Sequence, residues 1–124
     1  MQKTSSPKSP LMKGELFWVL FSGQGSQQQG LRPAVILQNN FINATSIATI
    51  VVCPLTTVLR GLKSQPVIPA LLRNGLQKDS AVMCEQIAAV NKSQVQERMG
   101  VLSEDELRAV EDGLLFVLDI DRIM

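Results

Sequence analysis

The stretch ELFWVLFSGQGSQQQGLRPAVILQ, residues 15–38, decides the fold. Its opening, ELFWVLF (15–21), has the two-residue period of a strand: Leu16, Trp18 and Leu20 fall on one side, Phe17, Val19 and Phe21 on the other. With apolar residues on both sides, either both faces are covered or one meets a second chain. PAVILQ (33–38) reads as a second strand. Between them SGQGSQQQGLR (22–32) is polar and amide-rich, and its three glycines permit tight or open backbone. So polar a segment between two apolar strands is either a plain connector or a lid, 22–31, over a site. Arg32 directly precedes Pro33, which pushes its backbone to the extended region and sets it at the strand mouth.

Outward from this hairpin the strand signals continue. NNFINATS (39–46) is turn-like and SIATIVVCPL (46–55) is a β-branched strand. TTVLRGLKSQP (56–66) is a basic loop ended by proline, and VIPALL (67–72) a short edge strand, since Pro69 cannot donate to a ladder. RNGLQKD (73–79) carries an Asn-Gly hairpin signal. SAVMCEQIAAV (80–90) is the last long strand, bent at Glu85-Gln86, and NKSQVQERMG (91–100) a short helical turn closed by Gly100. Ser103 and Glu106 form a capping box, and Leu107, Val110, Leu114 and Val117 recur on one face of the helix that follows. Short strands with turn signals, closed by one helix, predict a mainly β (α+β) chain: a small SH3-like β-barrel with peripheral helices and a C-terminal α-helix.

The composition sets limits on function. A chain of 124 residues, 45% hydrophobic and 19% charged, fits one domain with a real core. The expected division is a flexible N-terminal segment, 1–12, and a single domain, 13–124. No run of 18 apolar residues predicts a transmembrane helix. The polar N-terminus lacks the apolar region of a secretory signal, so the expected location is cytoplasmic. Cys53 and Cys84 lie in apolar runs and read as buried reduced thiols, a cross-strand disulfide being the alternative. With no histidine and no CxxC, a zinc site has little to build on, and the commonest general base is missing. Residues 1–78 sum to +7 and residues 79–124 to −6. Such asymmetry suits a polyanion or a charged peptide, and equally two solvated faces of opposite sign.

Read in order, KGELFWV, GSQQQGLRPAVILQNN, TIVVCPLTT, KDSAVMCEQIAAVNKSQV and SEDELRAVEDGLLFVL resemble the MazF/PemK/Kid family of toxin endoribonucleases from about Lys13 onward. GxRP alone is weak; the ordered set is specific. The resemblance implies a barrel of the CcdB/PemK type and a sequence-specific, metal-independent endoribonuclease that needs no cofactor. It would cleave single-stranded mRNA by 2′-hydroxyl attack, leaving a 2′,3′-cyclic phosphate (or 3′-phosphate) and a 5′-hydroxyl. It further implies a homodimer, held inactive by a cognate MazE-like antitoxin whose acidic disordered tail lies across the RNA groove.

Carried onto this sequence, the resemblance makes Arg32, of the GxRP motif, and Thr56, of CPLTT, catalytic residues, with Thr57 as understudy. Glu85 and Gln86 fall where the family carries an acid–Gln pair. Cleavage by a 2′-hydroxyl needs a base, an acid and positive charge, and Arg32 offers a fork of donors suited to phosphate. The plainer reading is a rim arginine paired with Glu85, and Glu85 is either the base or the group that orients Arg32. Ser26, Gln27, Gln28, Thr57, Gln86 and Lys78 are expected to contact RNA. Gln27 departs from the family, which usually has an acid there. Lys13, Arg60, Lys63 and Arg73 are further phosphate candidates, and Phe41 a stacking one. Two rivals remain: a CcdB-like gyrase poison, disfavoured because the only tryptophan is Trp18, and a non-catalytic RNA- or peptide-binding barrel.

Overall fold

The structure is a computed structural model that describes residues 10–121. Of the expected flexible segment, residues 1–9 lie outside the described residues, while Leu11 is buried in the core.

Seven strands, β1 (Glu15–Ser22), β2 (Gln29–Ile36), β3 (Thr49–Thr56), β4 (Val67–Ile68), β5 (Ser80–Val82), β6 (Ala88–Asn91) and β7 (Val95–Val101), form one antiparallel sheet. Its order is β4-β5-β3-β2-β1-β7, with β6 also paired to β3. The sheet curls into a half-barrel, and the helices are a single turn, α1 (Asn40–Asn43), and α2 (Glu104–Leu118). The mainly β barrel with a C-terminal helix is what the sequence predicts.

The alternation of β1 and β3 builds two cores. Phe17, Val19 and Phe21 join Ala34, Ile36, Ile50 and Val52 on one face. Leu16, Val35, Cys53 and Leu55 face the other way, where Val110 of α2 packs with Leu107, Leu114 and Val117 around it. Both halves of the α2 capping box are made: Glu106 N donates to Ser103 Oγ at 3.1 Å, and Ser103 N donates to Glu106 Oε1 at 2.9 Å.

The turn expected at NNFINATS is present, and four other local expectations are corrected. NNFINATS contains the turn α1, capped by Asn39, whose side chain accepts from Phe41 N at 2.7 Å. Residues 95–101 are the edge strand β7 rather than a helical turn; only Lys92–Gln94 form a 3-10 turn. Asn74-Gly75 is no tight hairpin, since ten residues and more separate β4 from β5. Asn74 is buried instead, its Oδ1 accepting from Leu71 N and Leu76 N and its Nδ2 donating to Pro69 O at 2.8 Å. This loop lies across β7 so closely that a side chain on Gly100 would stand 2.3 Å from Arg73 O. The edge strand VIPALL shrinks to Val67–Ile68, and the long strand 80–90 is broken by a 3-10 turn, Cys84–Gln86.

Candidate active site

The site begins where two strands part. β2 and β3 pair at Ile36↔Val52, Val35↔Cys53 and Ala34↔Pro54, and go no further. Pro54 has no N–H to continue the ladder, and Pro33 next to Ala34 has none either. Beyond this point β2 stays bonded to β1 and β3 to β5, so a gap opens between them. Extending the register by two residues would set Arg32 opposite Thr56. Strand alternation puts Arg32 with Ala34 and Ile36, and Thr56 with Pro54 and Val52, all on the face of the Phe17–Val19 core.

Arg32 therefore lies inside β2, opposite Val19, not at the mouth of a strand beginning at Pro33. Its side chain is exposed, and Nε donates to Gln29 O at 3.1 Å. Thr56 is half-buried at the end of β3, with Oγ1 accepting from Val58 N at 3.1 Å. Thr57 and Lys78 are exposed near that end of the sheet.

The expected lid, 22–31, is shorter than its sequence suggested. β1 runs to Ser22 and β2 starts at Gln29, leaving six residues, 23–28. These are bonded to one another: Gly23 N to Gln28 O at 3.1 Å, Gln27 N to Gln24 O at 3.0 Å, and Gln24 N to Gln27 Oε1 at 2.9 Å. Gly23 is required, because a Cβ there would sit 2.5 Å from both Gln27 Cβ and Gln28 O. Ser26 is exposed at the tip, and Gln28 Nε2 reaches across to Met83 Sδ at 3.5 Å. The loop thus spans from the β1–β2 hairpin to the residue that opens the Cys84–Gln86 turn.

Under this bridge lies a cleft of about 510 Å³, with Gln27, Gln28, Glu85, Gln86 and Gln94 among its lining residues. Glu85 is not on a strand face with Met83 and Ile87; it projects from the 3-10 turn and is exposed. It makes no ion pair with Arg32: Glu85 Oε2 accepts instead from Gln65 Nε2 at 2.5 Å. Gln65 and Gln94 escaped the sequence reading, because a glutamine in KSQP or NKSQV carries no local signal. Gln94 Nε2 donates to Leu20 O at 2.6 Å and fastens the cleft wall to β1.

The charges are distributed more evenly than the sequence halves suggest. Lys13 pairs with Glu111 at 2.8 Å and Arg73 with Glu106 at 3.1 Å, both across to α2. Lys63 lies over the Phe116 ring at 5.1 Å. Behind the site, Cys53 and Cys84 are buried free thiols, and continuing the Leu55↔Val82 register sets them opposite one another. A hydrogen bond with Cys84, together with burial, pushes the Cys53 thiol well above its ordinary range. Among the described residues no group of three His, Cys, Asp or Glu side chains is placed to hold a metal ion, and no helix is long and apolar enough to cross a membrane.

Known proteins share this fold and are similar to the chain in sequence. Endoribonuclease MazF2 of Mycobacterium bovis and endoribonuclease MazF6 of Mycobacterium tuberculosis are each 29% identical over 113 residues, 89% of this chain and 98% of theirs. The fold superposes on MazF from Deinococcus radiodurans with a TM-score of 0.78, at 25% identity, over 91% of this chain and 100% of that one. A mycobacterial endoribonuclease in complex with its cognate antitoxin gives 0.76 at 18% identity, over 91% and 99%. Residues 12–118 match the family described as PemK-like, MazF-like toxin of type II toxin-antitoxin system, and the chain belongs to that family.

Proposed function

We propose that this toxin is an endoribonuclease that cleaves single-stranded mRNA at a short sequence without a metal ion or other cofactor. The observation that carries the reading is the parting of β2 and β3 at Ala34↔Pro54. It leaves Arg32 and Thr56 on one face, while the cleft that holds a carboxylate and several amides is lined by neither of them.

In the proposed reaction the RNA 2′-oxygen forms a bond to its own phosphorus while the bond from phosphorus to the 5′-oxygen breaks. With no histidine in the chain, Glu85 takes the 2′ proton. Arg32 stabilises the charge of the crowded phosphorane, and the Thr56 hydroxyl donates to a non-bridging oxygen. A guanidinium does not give up its proton in proteins, so the departing 5′-oxygen takes one from water. The products are a 2′,3′-cyclic phosphate, or its 3′-phosphate, and a 5′-hydroxyl. Gln27, Gln28 and Gln86 offer both donors and acceptors to unstacked bases, with Ser26, Thr57 and Lys78 around them.

A homodimer in the cytoplasm, neutralised by a MazE-like antitoxin with an acidic disordered tail, completes the proposal. Leu20 and its cross-strand partner Leu31, 47% and 54% exposed, supply an apolar face for the second copy. The test is a long natural RNA incubated with protein in excess EDTA, with new 5′ ends mapped and Arg32→Ala run alongside. Cuts at a recurring motif, bearing 5′-hydroxyls and lost in the variant, are expected. Intact RNA in both lanes would leave the non-catalytic binding barrel as the reading.

A further inference from the structure

Gln65 is 3% exposed, although it sits in the long connection between β3 and β4. Its neighbours explain why. Ser64 O accepts from Cys84 N at 3.2 Å and Pro66 O from Val82 N at 2.9 Å. Residues 64–66 therefore lie alongside residues 82–84, and the side chain between those two contacts meets the Cys84–Gln86 turn. There Gln65 Nε2 donates to Glu85 Oε2 at 2.5 Å.

The other end of the same amide has nothing. Gln65 Oε1 is buried and has no hydrogen-bond partner, alone in this among the side-chain atoms of the described residues. A buried acceptor left unpaired costs free energy, and a position that only needed filling would be served as well by methionine or leucine. What glutamine adds over those is a donor, and the donor goes to Glu85. The carboxylate is thereby tied by one oxygen, while among the described residues no hydrogen bond holds the other.

We propose that Gln65 is a positioning residue for RNA cleavage: it anchors Oε2 of Glu85 from beneath the cleft and so presents Oε1 to the substrate. The inference rests on the endoribonuclease reading and on Glu85 as the base. It adds a residue outside the cleft lining that fixes the geometry of the proton acceptor. An exposed glutamate without such an anchor would sample several rotamers, and small displacements of a reacting group are expensive in rate.

The test uses Gln65→Met, which keeps the volume and removes both the donor and the orphan oxygen. Substrate is an oligoribonucleotide carrying the motif found by end mapping, and kcat, KM and melting temperature are measured together. Positioning predicts a kcat lower by about tenfold to a hundredfold, a KM within about twofold of wild type, and a melting temperature equal or higher. Gln65→Asn keeps a buried amide but withdraws it by one methylene, and is expected to lose turnover too; it supplies the reading if the methionine variant does not fold. Glu85→Gln should lose turnover, and adding Gln65→Met to it should cost nothing further. A Gln65→Met protein that melts lower but turns over at the wild-type rate would overturn the inference. So would Glu85→Gln cutting normally, which leaves the nuclease reading standing. Wild-type protein that leaves the RNA whole overturns that reading itself.

Discussion

At the scale of single residues, Gln27 stands where the family resemblance implies an acid. Its Oε1 accepts from Gln24 N, closing the loop from inside. An acceptor is all that contact requires, and an amide provides one as a carboxylate does. Gln27→Glu is therefore expected to keep loop and activity, whereas Gln27→Leu, lacking the acceptor, should lower cleavage severalfold in the same end-mapping assay. The thiol pair gives a second prediction. Cys53 is raised by its hydrogen bond with Cys84 and by burial, so the folded protein holds that proton where the unfolded chain releases it. The stability this contributes is whole below the ordinary thiol value of 9.0 and is lost progressively above it. Urea midpoints of the wild type should fall from pH 9 upward more steeply than those of Cys53→Val. The cysteines were readable as buried thiols from their apolar runs; that they oppose each other was not, because their pairing depends on the register of β3 and β5.

At the scale of elements, what could be read ahead of the structure follows how each element is stabilised. β1, β3 and α2 carry their own patterns: alternation, β-branching, and a capping box before a 3.6-residue stripe. β7 does not. Its sequence VQERMGV has polar residues on a sheet edge, and it is a strand because β1 offers it a ladder and Gly100 lets the 70–79 loop lie on it. Likewise the Asn-Gly signal gave way to tertiary contacts that bury Asn74. Of the site, Arg32, Thr56 and Glu85 were visible as residues, but the strand separation that groups the first two needs the three-dimensional pairing. The cap can be measured directly: Ser103→Ala should cost about 1 kcal/mol in urea denaturation, with cleavage at saturating RNA unchanged. Gly113 tests how α2 supports the site. Alanine there is the better helix former, yet its Cβ would stand 2.8 Å from Cys84 Sγ, at the base of the turn bearing Glu85. Gly113→Ala should therefore destabilise the fold and lower turnover together, against its helix propensity.

At the scale of the whole molecule, the balance of charge decides what the open face attracts. The first part of the chain is basic and the last acidic, yet the ion pairs Lys13–Glu111 and Arg73–Glu106 bind the two together through α2. Two of the cations that the sequence offered to phosphate are thus already occupied. Arg60 and Lys78 belong to none of the ion pairs found among the described residues and lie exposed in the loops that follow β3 and precede β5. Thr56 ends β3 and pairs with Ala81 of β5, so these loops flank the end of the sheet where β2 and β3 separate. A single strand of RNA entering there would meet them as backbone contacts, which hold position without reading sequence. Each phosphate so neutralised steepens the fall of binding with salt by about 0.7 in the logarithmic slope for a single strand. Arg60→Ala/Lys78→Ala should therefore weaken RNA binding at low salt and flatten the salt slope by roughly 1.4, while the mapped cleavage motif stays the same. Fluorescence anisotropy over a salt series, with Arg32→Ala as background to prevent cutting, makes the measurement. An unchanged slope would place the RNA backbone elsewhere, and a changed motif would move these side chains from holding the strand to reading it.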